Sequence, residues 1–217
     1  MLFLSLERSS SQPGAALYRD GKRLADCPAG RLPGMGQPSD TSPFSMAADC
    51  NRLLSTAGEG LSAILLTIGP GSFSGIRSAI GFAQGLALPN PGVRILGVST
   101  AAVIAWQHLR LATSGASCVV MGDARREHVW KARFERNETG ITGSEITLHP
   151  YASLADFGLQ TPDVVLSPDA ERLSTLSRQS SAFIPAHPTA EGLGSLYFAE
   201  PSMFVENPLP IYLHNAV

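Results

Sequence analysis

The sequence has little net charge, few cysteines and no long apolar run. Charged residues make up 16% of the 217 residues and the formal net charge is -2, so the overall charge does not indicate a nucleic-acid coat protein. The three cysteines, Cys27, Cys50 and Cys118, form no C-x-x-C pair, which favours reduced thiols over a disulfide framework. No run reaches the roughly 18 apolar residues of a membrane helix, and no signal peptide is recognisable. We therefore expect a soluble, cytoplasmic protein with no membrane partner.

The sequence also lacks the motifs of common catalytic sites. Its five histidines form neither H-x-x-x-H nor H-E-x-x-H, which disfavours a zinc peptidase. No serine stands in a Gly-x-Ser-x-Gly elbow, so a nucleophile of the hydrolase type is not indicated. From the residues alone we assign no catalytic group and no metal site.

Short apolar strands alternate with helical segments along the chain. The first half reads as three strands, a helix, a strand, a glycine-rich loop with its helix, a further strand, and a helix capped by Ser99. After Gly115 the pattern restarts with a hairpin, and it continues with further strands, a short helix at "SLADFG" and a last helix begun by Pro188 and Thr189. This order predicts a mixed α/β fold with two subdomains, residues 1–114 and 115–217.

The glycine-rich loop "IGPGSFSGIR" stands between a strand and a helix, as phosphate loops do. It lacks the lysine of a Walker loop, and no acidic residue ends the next strand as a dinucleotide site requires. Left-handed glycines, a serine cap from Ser72 or Ser74, and helix-start amides that attract an anion are all compatible with it. A structural turn, an anion or nucleotide contact, and a partner contact all remain open. The residues concerned are Gly69, Gly71, Ser72, Phe73, Ser74, Gly75 and Arg77.

The helix behind this loop carries small residues at helical spacing. Ser78, Gly81 and Gly85 lie three and four residues apart, which gives one nearly flat face. Glycine inside a helix costs about 1 kcal/mol relative to alanine, so two of them need a reason. Two explanations are open: the glycines allow close packing on the chain's own sheet, or they form a helix-to-helix interface with a second subunit.

Two acidic residues are candidates for a cleft site. Glu7 ends the first strand, and Asp123 closes a strand before the turn "DARRE". Asp123 with Arg125, Arg126 and Glu127 could hold a cation or a phosphate, but an exposed hairpin turn with compensating charges explains the same residues.

Four segments, in order and over nearly the whole chain, resemble the TsaB (YeaZ) family of proteins required for threonylcarbamoyl modification of tRNA adenosine beside the anticodon. The first segment is the most specific. The segments are "GPGSFSGIRSAIGFAQGLA" (69–87), "ILGVST" (95–100), "DARREHVWKARF" (123–134) and "PIYLHNAV" (210–217).

The resemblance implies a degenerate actin-like ASKHA fold with two RNase-H-like subdomains and mixed sheets. It implies a non-catalytic scaffold that binds TsaD, the catalytic paralogue, or a second copy of itself, with TsaE as an added ATPase. RNA contact would be indirect, and ATP with magnesium would enter only through the complex. The first two helices would form the partner interface, at Met46, Asp49, Cys50, Leu53, Ser78, Gly81, Phe82 and Gly85.

The chain departs from the family pattern in two places. The family's Asp-Thr-Ser after strand one is Glu7-Arg8-Ser9 here, so any nucleotide cleft at Glu7 and Asp123 would be vestigial. Residues 28–64 are shorter and poorly matched. Two other functions therefore stay open, an ATP-binding or M22 peptidase-like enzyme of the same superfamily and a homodimeric module without TsaD.

Overall fold

The computed structural model describes residues 1–27, 50–55, 60–154, 164–177 and 183–214. Within these ranges the strands form two six-stranded sheets. The strands of the first sheet are β1 (Leu2–Glu7), β2 (Gly14–Arg19), β3 (Lys22–Cys27), β4 (Leu61–Thr67), β5 (Arg94–Val98) and β12 (Val205–Glu206). The strands of the second are β6 (Ser117–Arg125), β7 (His128–Arg136), β8 (Ile141–Gly143), β9 (Thr147–Pro150), β10 (Val164–Ser167) and β11 (Ile184–Pro185).

The helices cover both sheets. Helix α1 is described over residues 50–55. The others are α2 (Phe73–Ala87), α3 (Thr100–Leu109), α4 (Ala170–Ser177) and α5 (Ala190–Ala199), with short 3-10 turns at Tyr151–Ser153 and Pro201–Met203. No helix in the described ranges is long and apolar enough to cross a bilayer.

The two sheets share one strand plan. In the first, β1, β2 and β3 are antiparallel neighbours, and β4 and β5 extend the sheet in parallel on the other side of β1. In the second, β6, β7 and β8 are antiparallel, and β10 and β11 extend it in parallel beyond β6. The predicted hairpin at Asp20 and Gly21 is confirmed, with left-handed φ values of 49° and 81°. Both sheets are therefore mixed, as the sequence predicts.

Helices α3 and α5 form the largest core with the facing sides of the two sheets. The α3 segment is apolar on every side, which is typical of a buried helix, and all but two of its residues are buried. Ser99 caps α3 as predicted, because its hydroxyl accepts a hydrogen bond from the Ala102 amide at 3.1 Å. Helix α5 is tied to the first sheet by the Ser5 hydroxyl, which donates to the Ala190 carbonyl at 2.8 Å.

Two smaller cores cover the outer faces. Helices α1 and α2 pack with β1, β2 and β4 on one side of the molecule. Helix α4 packs with β6 and β7 on the other. Helix α2 follows β4 after residues 68–72. These layers place its N-terminus beside the loop that follows β1.

Several elements differ from the sequence prediction. Helix α4 and the short strands β8, β11 and β12 were not predicted, and most of the predicted helix "SLADFG" lies outside the described residues. Strand β12 pairs with β5 of the first sheet although it belongs to the C-terminal half of the chain. The division at residues 114 and 115 stays a prediction.

Candidate functional site

A cleft of about 1520 Å³ opens beside the N-terminus of α2. Its walls come from five separated parts of the chain, so only the tertiary fold assembles it. These parts are the loop after β1, the glycine loop with the start of α2, the turn between β6 and β7, residues 168–169, and residues 210–214. The structure therefore brings Asp123 and the predicted loop residues, except Gly69, into one site.

The glycine loop is shaped by the chain that lies against it. A Cβ added at Gly71 would stand 2.1 Å from the Ser9 carbonyl oxygen, and one at Gly75 would stand 2.1 Å from the Arg8 carbonyl oxygen. The Ser72 amide donates to the same Ser9 carbonyl at 2.7 Å. Gly71 and Gly75 are thus required for close backbone contact, and one amide near the helix start already binds protein.

Two other features of the loop match the sequence prediction. Gly69 has a φ of 105°, a conformation that side chains with a Cβ rarely adopt. The Ser72 hydroxyl accepts a hydrogen bond from the Gly75 amide at 3.2 Å, so Ser72 is the N-cap of α2. Ser74 lies in the first turn of the helix and is exposed. The structure therefore has the turn and the Ser72 cap, while an anion contact and a partner contact at this loop stay predictions.

Two aromatic rings and an arginine side chain lie together in the lining of the cleft. The Arg77 guanidinium lies 5.0 Å from the centroid of the Phe73 ring. That ring lies 5.9 Å from the ring of Tyr212, and each of the two aromatic residues is 58% exposed. Sequence reasoning did not single out Tyr212, although it lies in the family-like segment "PIYLHNAV".

Glu7 lies behind the cleft and is completely buried. Its carboxylate accepts hydrogen bonds from the Ser9 amide at 2.6 Å, the Ser9 hydroxyl at 2.8 Å and the Ser10 amide at 3.1 Å, and from the Thr67 hydroxyl. Burial raises the pKa of Glu7 to about 7, because the hydrogen bonds only partly offset the loss of solvation. Glu7 therefore anchors the loop after β1 to the end of β4, and it does not line the cleft.

Asp123 lines the cleft, but its carboxylate is engaged by protein groups. One oxygen accepts hydrogen bonds from the Tyr151 hydroxyl at 2.6 Å and the Arg125 amide at 2.8 Å. The other oxygen lies 2.8 Å from Arg172 Nε and 3.0 Å from Arg125 Nη1. The side chain is only 1% exposed, whereas Arg125, Arg126 and Glu127 are exposed, so the turn is an exposed hairpin turn whose charges partly compensate one another. Burial and the bond to Asp123 raise the pKa of Tyr151.

The turn after Asp123 has an uncommon backbone. Arg125, Arg126 and Glu127 have consecutive φ values of 64°, 49° and 60°. Left-handed conformation costs residues with a Cβ roughly 1–2 kcal/mol each, so the surrounding contacts must hold it. The Glu127 carbonyl accepts a hydrogen bond from the Tyr151 amide at 2.8 Å, and Asp123 holds Arg125. This turn carries the exposed side chains of Arg125 and Arg126 to the cleft.

The small-residue face of α2 points away from the chain's own core. A Cβ added at Gly81 or Gly85 meets no other atom within 4 Å among the described residues, and both glycines are exposed. Ser78 is half-buried, and Phe82 is half-buried against the core. The buried side of α2 is formed instead by Ile76, Ala79, Ile80 and Ala83. In the described part of the chain, close packing on its own sheet therefore does not explain the two glycines.

The other residues predicted for the partner interface are placed differently. Cys50 and Leu53 are 0% and 2% exposed and pack in the core with β1 and α2. Their side chains therefore do not reach the surface; spacing alone could not tell which side of α1 the sheet covers. Over residues 50–55, the part of α1 that the structure describes, the exposed residues are Asn51, Arg52 and Ser55. Met46 and Asp49 lie outside the described residues.

Comparisons with known proteins agree with this architecture. A family model described as "TsaD: tRNA N6-adenosine threonylcarbamoyltransferase" matches residues 49–164. The chain is 31% identical over 196 residues to the tRNA threonylcarbamoyladenosine biosynthesis protein TsaB of Escherichia coli (strain K12), covering 76% of this chain and 77% of that protein. It superposes on the solved structure of YeaZ from Pseudomonas aeruginosa with a TM-score of 0.73 and 23% identity, covering 98% and 99% of the two chains.

The two mixed sheets of one strand plan define a mixed α/β protein that shares the fold of YeaZ. The predicted fold class is therefore confirmed. The sequence match identifies the particular group: the chain belongs to the TsaB (YeaZ) family.

Proposed function

We propose that this chain takes part in threonylcarbamoyladenosine biosynthesis on tRNA as a non-catalytic subunit that binds a TsaD-type partner. Family membership supports the pathway, because the E. coli relative is named for it. The observation that carries the binding role is the exposed glycine face of α2. We call Ser78, Gly81, Gln84, Gly85 and Leu88 the α2 face.

The α2 face suits close approach by another helix. Its two glycines leave the backbone uncovered, so a second helix can come nearer than larger side chains would allow. Leu88 at the helix end is 83% exposed and offers apolar area next to the glycines. A glycine inside a helix costs about 1 kcal/mol, and burial against a partner provides the compensation that the described part of the chain does not.

The proposal includes the assembly around this contact. In the absence of the partner, the same face pairs two copies of the chain into a homodimer. In the complete assembly, located in the cytoplasm, a TsaE-type ATPase joins the pair and brings ATP and magnesium. The chain then contributes its surface, and the TsaD-type subunit contributes the reacting groups.

Replacement of Gly85 by leucine separates an interface from internal packing. Because the site is open among the described residues, Gly85→Leu should fold with an unchanged melting temperature or a slightly higher one. It should nevertheless abolish co-elution with the TsaD-type protein of the same organism on size-exclusion chromatography. It should also dissociate any homodimer in analytical ultracentrifugation.

Gly92→Leu is the matched control, because Gly92 is equally open but lies in the turn between α2 and β5. It should keep the partner. If Gly85→Leu co-eluted as well as the control, or if it unfolded the chain, the α2 face would not be the binding surface. Normal levels of the modified adenosine in a deletion strain would contradict the pathway itself.

A further inference from the structure

We propose that the cleft binds a single-stranded segment of RNA, with phosphates at its arginines and a base against the Phe73 and Tyr212 rings. This inference rests on the proposed function, in which tRNA is the substrate of the assembly. It goes further, because the sequence predicts only indirect contact with RNA. The cleft and the α2 face meet at Ser78, but the residues changed in the tests, Arg126 and Tyr212 for the cleft and Gly85 for the α2 face, each belong to only one of the two surfaces.

The cleft concentrates positive charge on a chain whose formal net charge is -2. Among the described residues, four arginines and two aspartates line it. Asp123 is already paired with Arg125 and with Arg172 from outside the lining, so it repels an incoming anion only weakly. Among the described contacts, the Arg126 guanidinium has no acidic partner, and it is exposed. Arg126 and Arg77 are therefore available to phosphate groups.

The exposed rings supply the second part of the recognition. Phe73 and Tyr212 come from distant parts of the chain, yet their centroids are 5.9 Å apart and both residues are 58% exposed. Large aromatic side chains normally bury most of their area, so a half-exposed pair beside a basic cleft is available for stacking. Basic grooves with stacking rings are typical of proteins that bind single-stranded nucleic acid.

The geometry favours an extended strand over a mononucleotide with magnesium. The cradle that a triphosphate needs at the glycine loop is filled, because the Arg8 and Ser9 carbonyls lie against Gly75 and Gly71. The Ser72 amide is bonded to Ser9 as well. The available cations are instead spread between the start of α2 and the turn after β6, which suits successive phosphates along a strand.

The test measures binding of the full chain to a fluorescein-labelled single-stranded RNA of about 12 nucleotides by fluorescence anisotropy. The double variant Arg126→Asn/Tyr212→Ser removes one phosphate contact and half of the ring pair, and asparagine tolerates the left-handed position of Arg126. Its dissociation constant should rise at least about tenfold. The slope of log affinity against log salt should fall by about 0.7.

The control is Arg110→Asn/Leu209→Ser, which removes one exposed cation and one exposed apolar residue outside the cleft lining. It should bind the RNA like the wild type. Equal affinity of the cleft variant and the wild type would overturn the proposal. So would undetectable RNA binding by the wild type, or displacement of the RNA by equimolar ATP with magnesium.

Co-elution with the TsaD-type protein, measured on the same variants, keeps the two proposals apart. The cleft variant should bind RNA more weakly and keep the partner, and Gly85→Leu should lose the partner and bind RNA like the wild type. If the wild type itself did not bind the TsaD-type protein, the proposed function would be contradicted. The anisotropy measurement would still show whether the cleft binds RNA.

Discussion

Glycines within one short stretch of this chain have opposite surroundings. In the loop and the first turn of α2, Gly71 and Gly75 face the backbone of Ser9 and Arg8 so closely that a Cβ would collide with a carbonyl oxygen. In the helix that follows, Gly81 and Gly85 face no described atom within 4 Å. The loop glycines are thus explained by the fold itself. The helix glycines are not, and this difference directs attention to a second molecule.

The largest change in stability is expected at the glycines that are packed against backbone. Gly71→Ala would place a methyl group 2.1 Å from the Ser9 carbonyl oxygen, and this oxygen belongs to the backbone, so it cannot rotate away as a flexible side chain could. We expect a loss of about 3 kcal/mol in the free energy of unfolding, measured by urea denaturation. Gly92→Ala, at an open turn position, should change stability by less than about 0.5 kcal/mol. Equal stability of the two variants would mean that the loop after β1 is not held against Gly71.

The second prediction concerns the carboxylate that holds this loop in place. Burial raises the pKa of Glu7 from 4.5 to about 7. The folded state therefore binds a proton more tightly than the unfolded state. The contribution of Glu7 to stability is greatest below pH 4.5 and is lost as the pH rises through 7. Stability of the wild type should fall by on the order of 2–3 kcal/mol across that window.

Glu7→Gln should flatten this pH dependence, because glutamine does not ionise. The measurement is the free energy of unfolding at several pH values between 4.5 and 8. Glu138→Gln, at an exposed carboxylate, is the control and should keep the wild-type slope. An unchanged slope in Glu7→Gln would show that another group is responsible.

A smaller effect is expected where the loop passes into the helix. Ser72→Ala removes the hydroxyl that accepts the Gly75 amide, and loss of an N-cap costs about 1 kcal/mol. Ser74→Ala, at an exposed position in the first turn of the helix, should change stability by less than about 0.5 kcal/mol. Thermal denaturation of both variants compares them directly. A larger loss of stability in Ser74→Ala than in Ser72→Ala would show that Ser74, and not Ser72, caps the helix.

Local sequence patterns predicted the elements that are determined by residues close together in the chain. The hairpin at Asp20 and Gly21, the capped helices and the buried strands follow from turn residues and apolar runs, and the structure has them. Strand β12 was missed because two residues carry no periodicity, and its pairing with β5 is set by the tertiary fold. The burial of Cys50 and the arrival of Tyr212 beside Phe73 likewise depend on long-range packing.

The open side of the comparison gives the smallest and most discriminating effect. Gly81→Ala should raise the free energy of unfolding of the monomeric chain by about 0.5–1 kcal/mol, because alanine is the better helix former and its methyl group meets no described atom. The same methyl group should lower the affinity for the TsaD-type protein, because it prevents close approach of the partner's helix. Urea denaturation at low protein concentration and titration with the TsaD-type protein measure these two signs. Thr175→Ala, at an exposed position of α4 outside the α2 face, controls for helix propensity and should leave the affinity unchanged. Destabilisation by Gly81→Ala would mean that the chain covers this face itself, and the loop and the helix would then use their glycines for the same purpose.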